Sequence, residues 1–422
     1  MLIRLAHTGG SPMTKASGTK DHNHLFRIMT MDGGGIYGLY TVLLLKQLCT
    51  SNPSFLKDGC VDLFAGTSAG GLNALLLAKY EDPREAIESG EMERFYAEQD
   101  IFANKNPLNL FMSNMGLRPY LGTEEYMSVL KKYFGDLTLG DLKQHVLITM
   151  FNWAGSDADG KHRKWKPKLF ENYDANDPDC NLLVRDVAFA STTPTFLRAI
   201  WSGGNDGGIF APNPTMCAVT KVIREIFKAE TQDKIPARAN QDWYKMAYAL
   251  FNQDYNQETF GKSSVLNHIS VFSLGVGNTY PYMDVGTEEW GMLQWMMGIW
   301  NPAIRQWVMP MNRMQFEPSI EAVNYQAAEL LNRDYDIVLG DGKIDTYYQS
   351  KGYHRLSPEV LPISMGIANM ALRNNPIFFQ YLTGEIYKAA GNTESTRQLK
   401  DAYDWLKAEK WFIPETWMRD LI

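Results

Sequence analysis

Two stretches of this chain follow one plan: a short apolar run, a glycine-rich turn, then a longer apolar segment at helical spacing. In the first, HLFRIMTM (24–31) passes through Asp32, Gly33, Gly34 and Gly35 into IYGLYTVLLLKQLCT. In the second, GCVDLFAGTSAGGLNALLLAKY (59–80) repeats the order. Short apolar runs bounded by glycine suit buried strands, and the leucine spacing after each turn suits a helix with a buried face. Strand–turn–helix units in series predict a mostly parallel sheet with helices on its faces, an α/β fold.

The rest of the chain is read in the same way. HVLITMFNWA (145–154) and HISVFSLGVGNTYPY (268–282) are predicted strands, and YDIVLG (335–340) is a candidate strand. REAIESGEMERFYAEQ is expected to be one exposed amphipathic helix within a helical, loop-rich region, 83–135. GSDADGKHRKWKPK (155–168) looks turn-like, with a basic cluster that either faces lipid headgroups or is a solvated loop. LLVRDVAFASTTPTFLRAIW (182–201) suits a helix interrupted near Pro194, and GGNDGGIFAPNP (203–214) a loop. The Met- and Trp-rich stretch 291–314 suits either a core helix pair broken at Pro302 and Pro310 or a lipid-facing groove.

Charge and cysteine usage exclude several classes. A net charge of −7 disfavours a nucleic-acid polymer as partner. It also disfavours constitutive docking on anionic membranes, while leaving room for a local basic patch. The four cysteines lie far apart with no Cys-x-x-Cys, and the histidines form no His-x-x-x-His pair. No metal or cofactor is therefore expected, and the thiols suit a reducing compartment. No run of ~20 apolar residues is present to span a membrane. Residues 1–24 are expected to be a disordered or leader segment, with Met13 an alternative start.

The glycine turns carry the chemistry. Gly33, Gly35 and Gly38 satisfy the dinucleotide spacing G-x-G-x-x-G. The acidic residue that should hold a ribose is misplaced, since Asp58 and Asp62 precede or open the next apolar run, and Asp32 would oppose a pyrophosphate. The second turn, Gly66-Thr67-Ser68-Ala69-Gly70, is G-x-S-x-G between strand and helix, the context of a nucleophile elbow. Beside such a serine, the bare N–H groups of Gly33, Gly34 and Gly35 would serve as oxyanion donors. A base is also needed. His268 and His354 follow Ser68 but have no distinctive setting. Asp206, followed by Gly207 and Gly208 and near Trp201, Ile209 and Phe210, could act if burial raised its pKa. Asp341-Gly342 competes without the second glycine.

Asp32-Gly-Gly-Gly-Ile-Tyr-Gly38, Gly66-Thr-Ser68-Ala-Gly70 and Asp206-Gly-Gly208, in this order, resemble the patatin-like phospholipase family of acyl hydrolases. FASTTPTFL (189–197) and SLGVGN (273–278) are similar to the family's segments flanking the aspartate. The resemblance implies a three-layer α/β/α patatin-like fold with a mostly parallel central sheet. It implies Ser68 as nucleophile, Asp206 as base, and Gly33, Gly34 and Gly35 as the oxyanion hole. Asp32, Gly38, Gly66, Gly70, Gly207 and Gly208 would support the motifs. Tyr37 departs from the family, which usually carries Arg or Lys there. The resemblance covers about 25–280, the expected catalytic domain; 281–422 is expected to be a mainly helical extension packed on it. The implied substrate is a phospholipid or other acyl ester, met through transient membrane-surface contact, with no cofactor. The expected location is cytoplasmic, peripheral at the inner membrane face when active. Two alternatives stay open. One is a lysophospholipase or neutral-lipid lipase using the same site. The other is a toxic phospholipase effector, as in antiviral defence, switched on by a small molecule or protein.

Overall fold

The computed structural model of the chain describes residues 25–153, 155, 164–174, 177–194, 197–198, 203–231, 266, 269–277, 291–292, 295, 299–301, 306–308, 310–331, 349–358, 365–372 and 374–412. Strands β1 (Phe26–Met31), β2 (Leu63–Thr67), β3 (Val146–Asn152), β4 (Lys166–Glu171), β5 (Gly204–Asp206) and β6 (Ile269–Leu274) precede the hairpin β7 (Ile299–Asn301) and β8 (Gln306–Val308), then β9 (Gln349–Ser350) and β10 (Tyr353–Leu356). The central sheet has the order β4-β3-β2-β1-β6-β10-β9, with β5 added on β3. The inner pairs β3·β2, β2·β1, β1·β6 and β6·β10 are parallel; β4, β5 and β9 attach antiparallel.

Alternation along the strands builds two apolar layers. Met29, Phe64, Ile148 and Phe272 pack with α1 (Gly38–Ser51), α2 (Ala69–Ala78) and neighbouring helices. Their strand neighbours Ile28, Leu63, Leu147 and Val271 face the opposite way, toward Ala218 and Val219 and toward Ala327 and Ala328. Side chains that alternate between faces, with helices on both, give a three-layer α/β/α fold with a mostly parallel sheet.

The remaining helices locate the corrections. The single helix expected over 84–99 is two: α3 (Arg84–Glu88) and α4 (Glu91–Ala97), broken at Gly90, whose φ is 70°. That left-handed residue turns the chain, and Ile87, Met92, Phe95 and Tyr96 are buried rather than exposed. Helices α5 (Pro107–Asn114) and α6 (Thr123–Phe134) follow. The turn-like segment 155–168 ends as strand, because Lys166 and Lys168 open β4, where Pro167 sits opposite Phe151. α7 (Val184–Ser191) stops short of Pro194, as the restriction before proline requires. The expected loop 203–214 contains β5 and a short 3-10 turn. α8 (Thr215–Thr231) follows.

In the Met/Trp stretch, Met292 and Trp295 are helical, β7 and β8 pair antiparallel, and α9 (Pro310–Leu330) begins at Pro310, while Pro302 lies outside the described residues. α10 (Met365–Ala371), α11 (Pro376–Ala390) and α12 (Thr393–Ala408) complete the described chain. The candidate strand 335–340, His268 and Asp341 lie outside the described residues. Among the described residues no helix is long and apolar enough to cross a membrane.

Candidate active site

Strand register brings the glycine turns together. Met31 pairs with Gly66, so the residues after each strand, Gly33 and Ser68, emerge side by side. A Cβ on Gly33 would lie 3.2 Å from the Ser68 Cβ. Glycine is required at both flanks of the serine. A Cβ at Gly70 would run into the Met31 carbonyl, and one at Gly66 into the Gly70 carbonyl. Helix α2 therefore starts directly against the end of β1. Gly38 is equally confined, by the Tyr96 hydroxyl and Ala69.

Ser68 has φ 52° and ψ −121°, a conformation that only an over-determined turn sustains. It occupies the N-cap of α2, yet its hydroxyl makes no cap bond. Instead Oγ donates to Asp206 Oδ2 at 2.6 Å. The Ser68 N–H donates to Ser191 Oγ at 3.1 Å.

Asp206 reaches the serine through β3, where Thr149 pairs with Thr67 and Met150 with Asp206. Its Oδ1 accepts the Gly208 N–H at 2.8 Å, and its own N–H donates to the Thr193 carbonyl at 3.1 Å. A Cβ at Gly207 would collide with the Thr149 hydroxyl, so this turn too needs glycine. Burial pushes the Asp206 carboxyl up to about 6, against the hydrogen bonds from Ser68 and Gly208, which hold it lower. A carboxylate in that range is a competent base near neutral pH.

The glycine loop differs from expectation in one respect. The Gly33 N–H donates to the Pro212 carbonyl at 3.0 Å and so is committed. The Ile36 N–H is held by Asn369 Oδ1 at 3.2 Å. The N–H groups of Gly34 and Gly35 have no acceptor among the described residues. Gly35 has φ 56°, and a Cβ there would meet the Asn369 amide. Of the expected trio, Gly34 and Gly35 thus keep N–H groups without an acceptor among the described residues, next to the positive end of α2.

Asp32 is buried and paired with Arg355 of β10, Nη2 to Oδ2 at 2.7 Å. Arg355 also donates to Ser273 Oγ at 3.1 Å. Burial pulls the guanidinium pKa down, but the Asp32 charge more than offsets this and leaves it above its ordinary value. Tyr37 is buried in the apolar layer, where burial raises its phenol to about 12 and keeps it neutral. His354 is no base for Ser68: it is buried and stacks on Phe272 and Trp405 at 6.0 and 5.4 Å, and burial depresses its pKa to about 3. Asp62, weighed above as a ribose ligand, accepts the Arg27 N–H at 2.7 Å and closes a strand end. The four cysteines are free thiols.

Residues 29–219 match the family model described as Patatin-like phospholipase. The chain carries a patatin-like phospholipase domain. CotR from Bacillus subtilis (strain 168) is 27% identical over 270 residues, 64% of this chain and 68% of CotR. Patatin-like protein 2 of Oryza sativa subsp. indica is 25% identical over 318 residues, 69% of this chain and 71% of the rice protein. Patatin-like protein 2 of Arabidopsis thaliana is 28% identical over 306 residues, 65% and 66% of the two chains. The patatin-like phospholipase domain over residues 29–219 implies lipid acyl hydrolase activity. The matched segment contains Ser68 and Asp206 but neither Arg355 nor Asn369, which the sequence reading missed. Ser191 lies in FASTTPTFL, whose likeness to the family was visible; nothing in KGYHRLSP marks Arg355.

Proposed function

We propose that the patatin-like domain is a serine acyl hydrolase that cleaves carboxylic esters of glycerophospholipids. The carrying observation is the 2.6 Å hydrogen bond from Ser68 Oγ to Asp206 Oδ2, with the serine held on a left-handed turn. Asp206 accepts the hydroxyl proton as Oγ attacks the ester carbonyl carbon. The carbonyl oxygen becomes an oxyanion facing the Gly34 and Gly35 N–H groups, each such donor being worth roughly 3 kcal/mol in the transition state. Collapse expels the lysophospholipid alkoxide, which takes the proton from Asp206. Water then attacks the acyl-serine, Asp206 accepts its proton and returns it to Ser68 Oγ, and a free fatty acid leaves. An aromatic row beside β5, Phe210, Phe151 and Trp153, with ring centres 6.2 and 5.3 Å apart, supports an acyl chain as substrate.

The test is hydrolysis of phosphatidylcholine vesicles by the wild type, Ser68→Ala and Asp206→Ala, with products identified by mass spectrometry. The expected result is fatty acid plus lysophospholipid from the wild type alone. Full activity in Ser68→Ala would refute the assignment.

A further inference from the structure

One segment is folded inside out. Residues 104–122 leave the domain and return, and their ends are clasped: the Gly122 N–H donates to the Ala103 carbonyl at 2.8 Å, and Asn104 Nδ2 to the Tyr120 carbonyl at 3.1 Å. Between them lies α5, started by Pro107 and capped by Asn106, whose Oδ1 accepts the Leu108 and Asn109 N–H groups. Ser113 Oγ ties the helix to the returning strand through the Pro119 carbonyl at 2.6 Å. The buried residue of this helix is the serine. Four large apolar residues of the segment face outward, Leu108 at 67% exposed, Phe111 61%, Met115 59% and Leu117 61%, while Leu110 and Met112 are half-buried. Leu108, Phe111 and Met115 share one side by their spacing of three and four. A preformed loop that shows its apolar side outward marks an interaction surface.

The position of the segment ties it to the site. Arg198 donates to the Gly122 and Ile101 carbonyls at 2.7 Å each, and the Leu121 N–H donates to the Leu197 carbonyl. Residues 197 and 198 follow Thr193, whose carbonyl holds the Asp206 N–H. On the other flank, Asn374 bonds the Asn104 main chain in both directions, five residues beyond the Asn369 that braces the glycine loop. Ile377, 80% exposed, extends the apolar rim there.

Charge selects the partner. The segment NKNPLNLFMSNMGLRPYLG (104–122) has Lys105 and Arg118 and no carboxylate, in a chain of net charge −7. Lys105 pairs with half-buried Asp100 at 2.9 Å and its main-chain N–H donates to Glu125 Oε1 at 2.8 Å, while Arg118 is exposed with no ion pair among the described residues. Outward apolar side chains beside the exposed Arg118, on a loop anchored to the segments that hold the proposed nucleophile's partners, match a bilayer surface bearing anionic headgroups. Resting on the lipid-ester reading of Ser68 and Asp206, we infer that residues 104–122 dock the enzyme on an anionic lipid surface, delivering substrate from that surface to the site.

The experiment uses the full chain. Ser68→Ala protein, which leaves vesicles intact, is co-sedimented with phosphatidylcholine vesicles with and without phosphatidylglycerol. The expected result is binding that needs phosphatidylglycerol and falls about tenfold or more on adding Phe111→Ser and Met115→Ser, since binding scales with buried apolar area. In active protein, the same pair should lower the ratio of vesicle hydrolysis to hydrolysis of a short-chain soluble ester by about the same factor. An unchanged ratio and unchanged sedimentation overturn the docking surface while leaving Ser68 chemistry standing. Equal binding to neutral vesicles overturns the anionic assignment. A dimer in sedimentation velocity that the paired substitution dissolves, without vesicle binding, assigns the surface to a second copy and overturns the proposal. Soluble-ester activity that survives Ser68→Ala overturns the lipid-ester reading instead. Both substituted side chains face outward, so circular dichroism should show an unchanged fold.

Discussion

Asp206→Asn separates what the carboxylate does in catalysis from what it costs the fold. The amide keeps the shape: Oδ1 still accepts the Gly208 N–H, and Nδ2 replaces Oδ2 opposite the Ser68 hydroxyl. The charge is lost, and the bond to the serine reverses, with Nδ2 donating to Ser68 Oγ where Oδ2 accepted from it. Burial lifts the Asp206 carboxyl from 3.8 to about 6. Above that range the group is ionised in both folded and unfolded chains, and folding strips its water. Below the unfolded value it is neutral in both, and the penalty is absent. Two pH units of displacement at about 1.4 kcal/mol each amount to roughly 3 kcal/mol of lost stability at neutral pH. Asp206→Asn should therefore be inactive on esters yet roughly 3 kcal/mol more stable than the wild type at about pH 7.5. The advantage should shrink as pH falls through about 6 and vanish below about 4. Urea unfolding followed by fluorescence at several pH values, beside an ester assay, measures both. A variant less stable than the wild type at neutral pH, or a stability gap that ignores pH, would refute the reasoning.

Two further outcomes follow from the same geometry. Wild-type kcat/KM on a soluble ester should fall about tenfold per pH unit below about 6, as Asp206 takes up its proton; a flat profile down to about pH 4 would exclude it as base. Arg355→Met strands the buried Asp32 carboxylate and should cost about 3–5 kcal/mol in urea unfolding, with much of the loss restored by adding Asp32→Asn. Unfolding of Arg355→Met at the wild-type urea midpoint would show that the pair does not brace the loop.

What the sequence revealed was decided locally. Gly66 and Gly70 are forced by carbonyls within their own turn and at the adjoining strand end, so their spacing alone announces the elbow. Asp206 lies 138 residues from Ser68, and no local pattern links them; its glycines made it a candidate base beside Asp341, and the resemblance singled it out. Strand β4 was hidden because Lys166 and Pro167 look like turn residues. At the sheet edge proline is tolerated, since its missing N–H can face away from the ladder. Gly90 was hidden for the opposite reason: the apolar spacing continues across it, although its left-handed backbone breaks the helix. Asn369 and Arg355 act across 333 and 323 residues, and each sits in an otherwise ordinary segment.

That distance bears on the Asp32 problem. A carboxylate placed next to donors meant for an oxyanion works against them, because the charge it carries repels the charge the reaction develops. Arg355 cancels it at 2.7 Å, with both side chains out of water. With the pair neutral overall, the Gly34 and Gly35 N–H groups and the start of α2 are left to set the local field on the proposed oxyanion. Asn369 then fixes the far side of the loop by holding the Ile36 N–H, so the free donors cannot turn inward. Both residues come from segments after 350, beyond the stretch that matches the family. Loss of β10 and α10 would leave nucleophile and base in place but put an uncompensated negative charge beside a loosened oxyanion loop. On this reasoning the proposed acyl hydrolase site is completed by the C-terminal strand and helix, and 29–219 alone is insufficient to form it.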